Sequence, residues 1–173
     1  MDTQELMQLF RNGQKDFTGM DLHGIQLRNA HLDGIILAGV NLADSDLSGT
    51  GLFGADLHGA ILNRAHLGIA HDSATDPNLD DIDIEMNCTD LTKANLSGAS
   101  LIEARMYAIN LQDADLSNAN LRGAHLSQAN MVGANLEGAN LSFADLTGAH
   151  VSSEALKGAD TTNANIDGLI IHE

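Results

Sequence analysis

Leucine recurs at every fifth position through most of the chain. The first series runs from Leu22 to Leu67 without exception. The second runs from Met86 to Ile166, and other residues replace a few of its leucines. With Phe17, which extends the first series, the chain holds 28 such positions, of which 21 are Leu.

A period of five fits neither common secondary structure. On an α-helix each fifth residue is rotated by about 140° relative to the last, so the leucines would spread around the axis. On an extended strand every fifth residue switches to the other face. Only a chain that turns once per repeat directs all of these leucines to one side. The spacing therefore predicts a coil with a leucine core.

The flanking positions indicate how the chain turns, as in residues 119–123, Ala-Asn-Leu-Arg-Gly. A small apolar residue stands two positions before the leucine, and this strand spacing points both side chains inward and the polar residue between them outward. Gly stands two positions after the repeat centre in 14 of its 17 occurrences, where a corner needs an unhindered backbone. The residues that we expect to stack in the core include Leu111, Leu116, Leu121, Leu126, Leu136 and Leu141.

The repeated pattern Ala-(Asp or Asn)-Leu-X-Gly resembles the pentapeptide repeat family, over residues 15 to 168. This resemblance implies four repeats per coil and an all-β fold, a right-handed quadrilateral parallel β-helix of about seven coils. It also implies a bacterial protein, similar in type to cyanobacterial members. With twenty residues per coil, Asn110 should lie beside Asn130, and Asn120 beside Asn140, forming amide ladders.

Residues 1–13 are predicted to form an N-terminal capping helix. Asp2 is suited to cap the helix, Glu5 follows three residues later as in a capping box, and Gly13 is suited to end it. Leu6, Leu9 and Phe10 form one apolar stripe. We expect this helix to cover the open first coil, as terminal caps do in solenoids, and a partner-binding helix is the alternative.

One irregular segment divides the repeats into two blocks, residues 15–69 and residues 84–173, of one continuous β-helix. The insertion, residues 70–83, contains the single proline, Pro77. An irregular segment on a rigid scaffold is a common place for function, and an evolutionary seam between two repeat blocks is the alternative. The candidate partner-binding residues in this segment are Asp72, Asp76, Asp80, Asp81 and Asp83.

The chain is strongly acidic, with 24 acidic and 8 basic residues and a net charge of −16. Nucleic acids and anionic membranes are bound mainly through Lys and Arg, so direct binding to either is not expected. The acidity favours a basic protein groove as a partner, or serves to keep a β protein with long edges in solution. The lone Cys88, the lack of a leader peptide and the lack of a long apolar run indicate a cytoplasmic protein.

No catalytic, cofactor or metal site is predicted. A filled coil has no cleft, and the eight histidines are scattered along the chain. His66 and His71 with Asp72 match no zinc spacing. Twenty residues per coil would place Glu85, Arg105, His125 and Asp145 in one outward column, which we interpret as structural pairing.

The sequence therefore predicts a non-enzymatic scaffold that binds another, unidentified protein. The alternative comes from the family resemblance: some members imitate DNA and engage type II topoisomerases such as gyrase. The last residues, Leu169, Ile170 and Ile171, would leave a strand edge and core side chains uncovered. We expect either a homodimer through this end or a terminal segment that folds over its own coil.

Overall fold

The predicted β-helix is confirmed. A computed structural model describes residues 1–68 and 88–173, and these wind into a right-handed quadrilateral coil in which parallel β-bridges join each coil to the next. One column of bridged residues gives the number of coils, because it has one member in each. The seven members of this column are Gln26, Asp46, His66, Arg105, His125, Asp145 and Asn165.

A repeat with Asp or Asn before its centre can give each of its backbone N–H groups a hydrogen-bond partner, which a buried chain requires. In residues 115–119 two N–H groups bond to the coil above and one to the coil below. The fourth closes a turn, and the fifth bonds to a side chain. The bonds are Leu116 N to Asn135 O (2.8 Å), Asn118 N to Glu137 O (2.8 Å), Asp115 N to Ala94 O (2.9 Å), Ala119 N to Leu116 O (3.0 Å) and Ser117 N to Asp115 Oδ1 (3.0 Å).

Most corners place their third turn residue in the left-handed region, as a type II turn requires. Gly fills many of these corners, for example Gly98 with a φ of 65°. Other residues occupy the same conformation elsewhere, including Asn118 at 57° and Ala108 at 54°. The fold therefore tolerates a side chain at a corner, at a cost that glycine avoids.

Few segments are long enough to form regular elements, because each strand lasts only two or three residues. Helix α1 spans Thr3–Arg11. Strands β1 (Asn130–Met131), β2 (His150–Ser152) and β3 (Ile170–His172) form a parallel sheet in that order. A 3₁₀ helix, Ala155–Gly158, follows β2.

The core is a continuous stack of the repeat's apolar side chains. The described residues at the repeat centre are buried from Phe17 to Val151. Leu111, Leu116, Leu121, Leu126, Leu136 and Leu141 are each 0–1% exposed. The inward column also contains hydroxyl side chains that the apolar pattern does not indicate. Ser45, Thr50 and Thr89 are 0% exposed, and their hydroxyl groups donate to backbone carbonyls at 2.6–2.8 Å.

Helix α1 packs on the first coil. The side chain of Asp2 accepts a hydrogen bond from the N–H of Glu5 (2.8 Å), which satisfies one of the free donors at the helix start. Leu6 is buried in the core, and Leu9 and Phe10 are partly buried against it. These contacts are the ones that a terminal cap requires.

The second series of repeats joins the ladder at Asp90. The N–H of Leu52 donates to the carbonyl of Asp90 (2.9 Å), so Leu91 takes the place that follows Leu67 along the coil. Met86, which we counted as the first centre of the second series, lies outside the described residues. The register across the insertion is therefore set by these cross-coil bonds and not by the spacing along the chain.

Candidate functional site

The outward column that the sequence predicted has a different first member. His66, not Glu85, lies one coil below Arg105, and the column continues through His125 to Asp145. Glu85 lies outside the described residues. We name Asp46, His66, Arg105, His125 and Asp145 the ionic column, because its two ends are carboxylates and its centre carries Arg105 and the two histidines.

The aspartate and asparagine side chains before each leucine have a structural role within their own repeat. In each case Oδ1 accepts a hydrogen bond from the backbone N–H two residues later, as Asp115 does from Ser117 and Asn130 does from Val132 (3.2 Å). This is the Asx turn that these residue types favour. The carboxylates at these positions are therefore hydrogen-bonded to the backbone while they keep their charge.

The same side chains also bridge neighbouring coils. Asn135 Nδ2 donates to Asp115 Oδ1 (3.1 Å), and Asn41 Nδ2 donates to Asp21 Oδ1 (2.9 Å). The predicted amide ladder occurs at Asn130, whose Nδ2 lies 3.4 Å from Asn110 Oδ1. Asn120 and Asn140 lie in register, as expected. Most of these ladders thus join a neutral amide donor to a carboxylate acceptor.

One bidentate ion pair bridges two coils at an exposed corner. Arg64 Nε and Nη2 donate to Asp44 Oδ1 (2.8 Å) and Oδ2 (2.6 Å). The hydrogen bonds from Arg64 hold the pKa of Asp44 below its ordinary value, with desolvation opposing and the charges of Arg64 and His23 contributing. Both side chains are well exposed, so solvent screens the pair.

The carboxylate end of the ionic column is held by hydroxyl groups. Asp145 accepts hydrogen bonds from the hydroxyls of Thr147 (2.6 Å) and Ser127 (2.7 Å). Partial burial acts to raise the pKa of Asp145, but these bonds outweigh it, so the pKa lies below the ordinary value. At the other end Arg28 Nη2 lies 3.1 Å from Asp46 Oδ2. Both carboxylate ends of the column are thus paired with their own surroundings.

The exposed apolar side chains in the middle of the rod are scattered, and two of them lie beside a cation. Phe53 is 46% exposed with Lys93 Nζ 5.9 Å from the ring centre, and Phe143 is 57% exposed with Arg122 at 5.5 Å. Ile61 is 41% exposed. Single exposed apolar residues are ordinary on soluble proteins. We therefore assign no site to them.

The last coil differs from the rest of the rod. Ile166 and Ile171 stand at repeat-centre positions that are buried in the other coils, and they are 52% and 53% exposed. Ile170 is 42% exposed, and Leu169 is partly buried against the core. Strand β3, which holds both Ile170 and Ile171, pairs only with β2. This end is an apolar surface beside an unpaired strand edge.

The candidate residues of the insertion, Asp72, Asp76, Asp80, Asp81 and Asp83, lie outside the described residues. The flanking residues are described. The N–H of Gly68 donates to the carbonyl of Arg105 (2.9 Å), and that of Asp90 to Thr50 (3.1 Å), so both flanks join the ladder. Cys88 is half-buried, and burial raises the pKa of its thiol. The described residues on both flanks of the insertion are thus bonded to the rod.

Residues 1–68 and 88–173 contain neither a cluster suited to a metal ion nor a helix suited to span a membrane. Three or more His, Cys, Asp or Glu side chains nowhere converge there in a way that suits a metal ion. The helices in that part of the chain are also too short or too polar to cross a membrane.

Comparison with known proteins supports the five-residue repeat and the coiled fold. A family model described as pentapeptide repeats matches eight copies, over residues 21–59, 86–118 and 114–152. Rfr23, a pentapeptide repeat protein from the cyanobacterium Cyanothece 51142, is 23% identical with a TM-score of 0.56; the match covers 99% of this chain and 95% of that one. A trypsin-treated variant of QnrB1, a plasmid-mediated fluoroquinolone resistance protein, is 20% identical with a TM-score of 0.59, covering 91% and 80%. Curated protein sequences give no significant match.

Proposed function

The chain belongs to the pentapeptide repeat family, and on this basis we propose that it is a non-enzymatic scaffold whose outer surface binds another protein. The observation that carries the proposal is the filled interior. The inward side chains of the repeats are buried against one another from coil to coil, so ligand contact falls to the outer faces. Those faces hold side chains in a fixed register, which suits recognition of a second rigid surface.

We propose that the insertion supplies the specific contact. Five of the 24 acidic residues and none of the eight basic ones fall within its 14 residues, 70–83. This is the densest single-sign charge in the sequence, and its carboxylates fit a basic protein surface. The described carboxylates before each leucine, by contrast, accept hydrogen bonds within their own turns.

Deleting the insertion tests this proposal. Replacing residues 71–82 by a short Gly/Ser turn should leave the rod folded, because the bonds at Gly68 and Asp90 close the ladder on both sides. Partner capture from the native cell, quantified after cross-linking, should fall. A second variant neutralises only the charge, with Asp→Asn at 72, 76, 80, 81 and 83. Its matched control neutralises five exposed carboxylates of the rod: Glu103, Asp113, Glu137, Glu154 and Asp167.

Loss of capture in both insertion variants but not in the control would support recognition by the insertion. Equal loss in the control would mean that overall acidity, and not this segment, attracts the partner. Unchanged capture in the deletion variant would favour the seam between repeat blocks.

We also propose that two copies associate through the last coil, burying Ile166, Ile170 and Ile171. Light scattering across a concentration series tests this, with Ile170→Lys and Ile171→Lys expected to give monomers. Ile61→Lys is the matched control, because Ile61 is 41% exposed in the middle of the rod. A wild-type monomer at every concentration would refute the dimer and favour local capping by the terminal segment.

The alternative function is modulation of a type II topoisomerase such as gyrase by a DNA-like acidic rod. The net charge of −16 favours it, whereas the asparagines of the second block, such as Asn120, Asn130 and Asn140, dilute the charge on its faces. We expect no inhibition of gyrase supercoiling by the purified protein. Inhibition that weakens with added salt and with neutralised carboxylates would reverse this ranking, because DNA mimicry acts through charge.

A further inference from the structure

Two histidines from adjacent strands meet at the last coil. His150 lies on β2 and His172 on β3, both half-buried, and His150 Nδ1 is 2.9 Å from His172 Nε2. The ring centres are 5.1 Å apart and the ring planes differ by 23°. The distance between the ring centres is close to the sum of the distance between the two facing nitrogens and the radii of the two rings, which requires both nitrogens to lie near the line that joins the centres. The rings therefore meet edge to edge, with the two nitrogens pointing at each other, as a well-directed hydrogen bond requires.

This geometry limits how many protons the pair can hold. A neutral imidazole offers one N–H donor and one acceptor nitrogen, so one ring donates and the other accepts. One added proton leaves a hydrogen bond between an imidazolium and an imidazole. A second added proton places an N–H on both facing nitrogens, which removes the acceptor and brings two positive charges together. The folded pair thus excludes a proton that two separated histidines accept.

Apart from the histidine pair, strand β3 is held on the rod mainly by backbone hydrogen bonds. Strand β3 is fastened to β2 by backbone bonds, among them Ile170 N to Ala149 O (2.8 Å) and Ser153 N to His172 O (2.9 Å). Ile170 and Ile171 are 42% and 53% exposed, so apolar burial contributes less here than in the inner coils. The histidine bond adds to these backbone bonds in holding the strand.

The surroundings of the pair are mostly uncharged. The groove around the two rings is lined by Gln112, Gln128, Asn130 and Val132, none of which titrates. The charged side chains of the same corner are Asp113, whose Oδ1 lies over Gly133, and Glu173, which follows His172 in the chain. The 3₁₀ helix next to β2 carries Lys157, which is paired with Glu154 at 2.6 Å. The facing rings are thus the main titratable elements at this point.

We propose that His150 and His172 form a pH-sensitive clasp that holds strand β3 on the rod near neutral pH and releases it when both rings are protonated. The sign follows from proton counting. The released strand binds one proton more than the clasped one, so acid favours release and rising pH favours closure. Histidine is the side chain that ordinarily changes charge between about pH 5 and 8, so the release falls in a mildly acidic range. This goes beyond the scaffold proposal and does not depend on any partner.

Hydrogen exchange at single amides tests the clasp. The amides of Ile170 and Ser153 report on β3, and the amide of Asp115, bonded to Ala94 in the middle of the rod, reports on the rest. After correction for intrinsic exchange, we expect protection at Ile170 and Ser153 to fall roughly tenfold or more from about pH 7 to about pH 5. Protection at Asp115 should stay constant, which excludes general unfolding.

Two variants make the test specific. His172→Gln keeps a polar group near the position of Nε2 but removes one titrating ring, so its β3 protection should no longer depend on pH in this range. His125→Gln, a change of an exposed histidine elsewhere, should behave as the wild type. Protection at Ile170 that is independent of pH in the wild type, or the same pH dependence in His172→Gln, would overturn the proposal.

Discussion

A leucine in the middle of the rod should contribute far more to stability than an isoleucine at the same repeat position in the last coil. Leu116 is 0% exposed and has complete coils on both sides, whereas Ile166 is 52% exposed. Truncation to alanine removes a similar amount of side chain in both cases. The pair of variants therefore isolates the contribution of stacking from that of the repeat itself.

The expected magnitudes follow from burial. Leu116→Ala removes a fully buried side chain and leaves a cavity between stacked coils, at a cost of about 3 kcal/mol within a usual range of about 2–5. Ile166→Ala loses roughly half of a full transfer free energy and leaves no closed cavity, at a cost of about 1 kcal/mol. The difference of about 2 kcal/mol is well above the error of a denaturation experiment.

Urea unfolding followed by far-ultraviolet circular dichroism measures both variants, with the slope of the transition checked against the wild type. An unchanged slope is required because repeat arrays do not always unfold in one step. Equal losses of unfolding free energy in Leu116→Ala and Ile166→Ala would refute the reasoning. They would mean that stacking between coils does not determine how much a repeat-centre side chain stabilises the protein.

Three further predictions concern the backbone, an inward hydroxyl and a carboxylate. Gly68→Ala should destabilise the rod more than Gly98→Ala in thermal melts. A Cβ at Gly68 would lie 2.5 Å from both the N and the O of Tyr107, whereas Gly98 has open space and needs only the left-handed conformation, at about 1 kcal/mol. Thr50→Val should cost about 1 kcal/mol in urea unfolding, because the buried carbonyl of Leu27 loses its hydroxyl donor. Asp145→Asn should be less stable than the wild type at pH 7, and the gap in melting temperature should narrow towards pH 3. The pKa of Asp145 is lowered by folding, so its stabilisation is complete above the ordinary aspartate value of about 3.9 and is lost as the pH falls through the lower folded value. A constant gap would contradict this assignment.

Much of the fold is encoded by spacing that can be read directly. Leu116 and Ala119 point inward because a five-residue turn leaves them no other direction, and Asp2 caps α1 because its side chain reaches the N–H of Glu5. The inward hydroxyls were less visible, although Thr50 stands two positions before Leu52, where the repeat places a small residue. Position within the repeat, and not polarity, is the signal by which the sequence could have located it.

The contacts across the insertion could not be predicted in the same way. His66 pairs with Arg105 although they are 39 residues apart, because the ladder selects partners by coil and the segment between them adds to the spacing. Counting twenty residues back from Arg105 led to Glu85 instead. The meeting of His150 with His172 was equally hidden, because it is a diagonal contact between neighbouring strands.

The Asx turn separates the folding of this chain from its charge. Oδ1 of either Asp or Asn accepts the N–H that the coil leaves free, as Asp115 and Asn130 do with the same geometry. The turn therefore forms with either residue. The two differ in charge, so one exchange changes the net charge that the face presents to solvent by a full unit. Evolution or an engineer can set the electrostatic pattern of each face at this position, coil by coil, while the hydrogen bonds that shape the backbone stay the same.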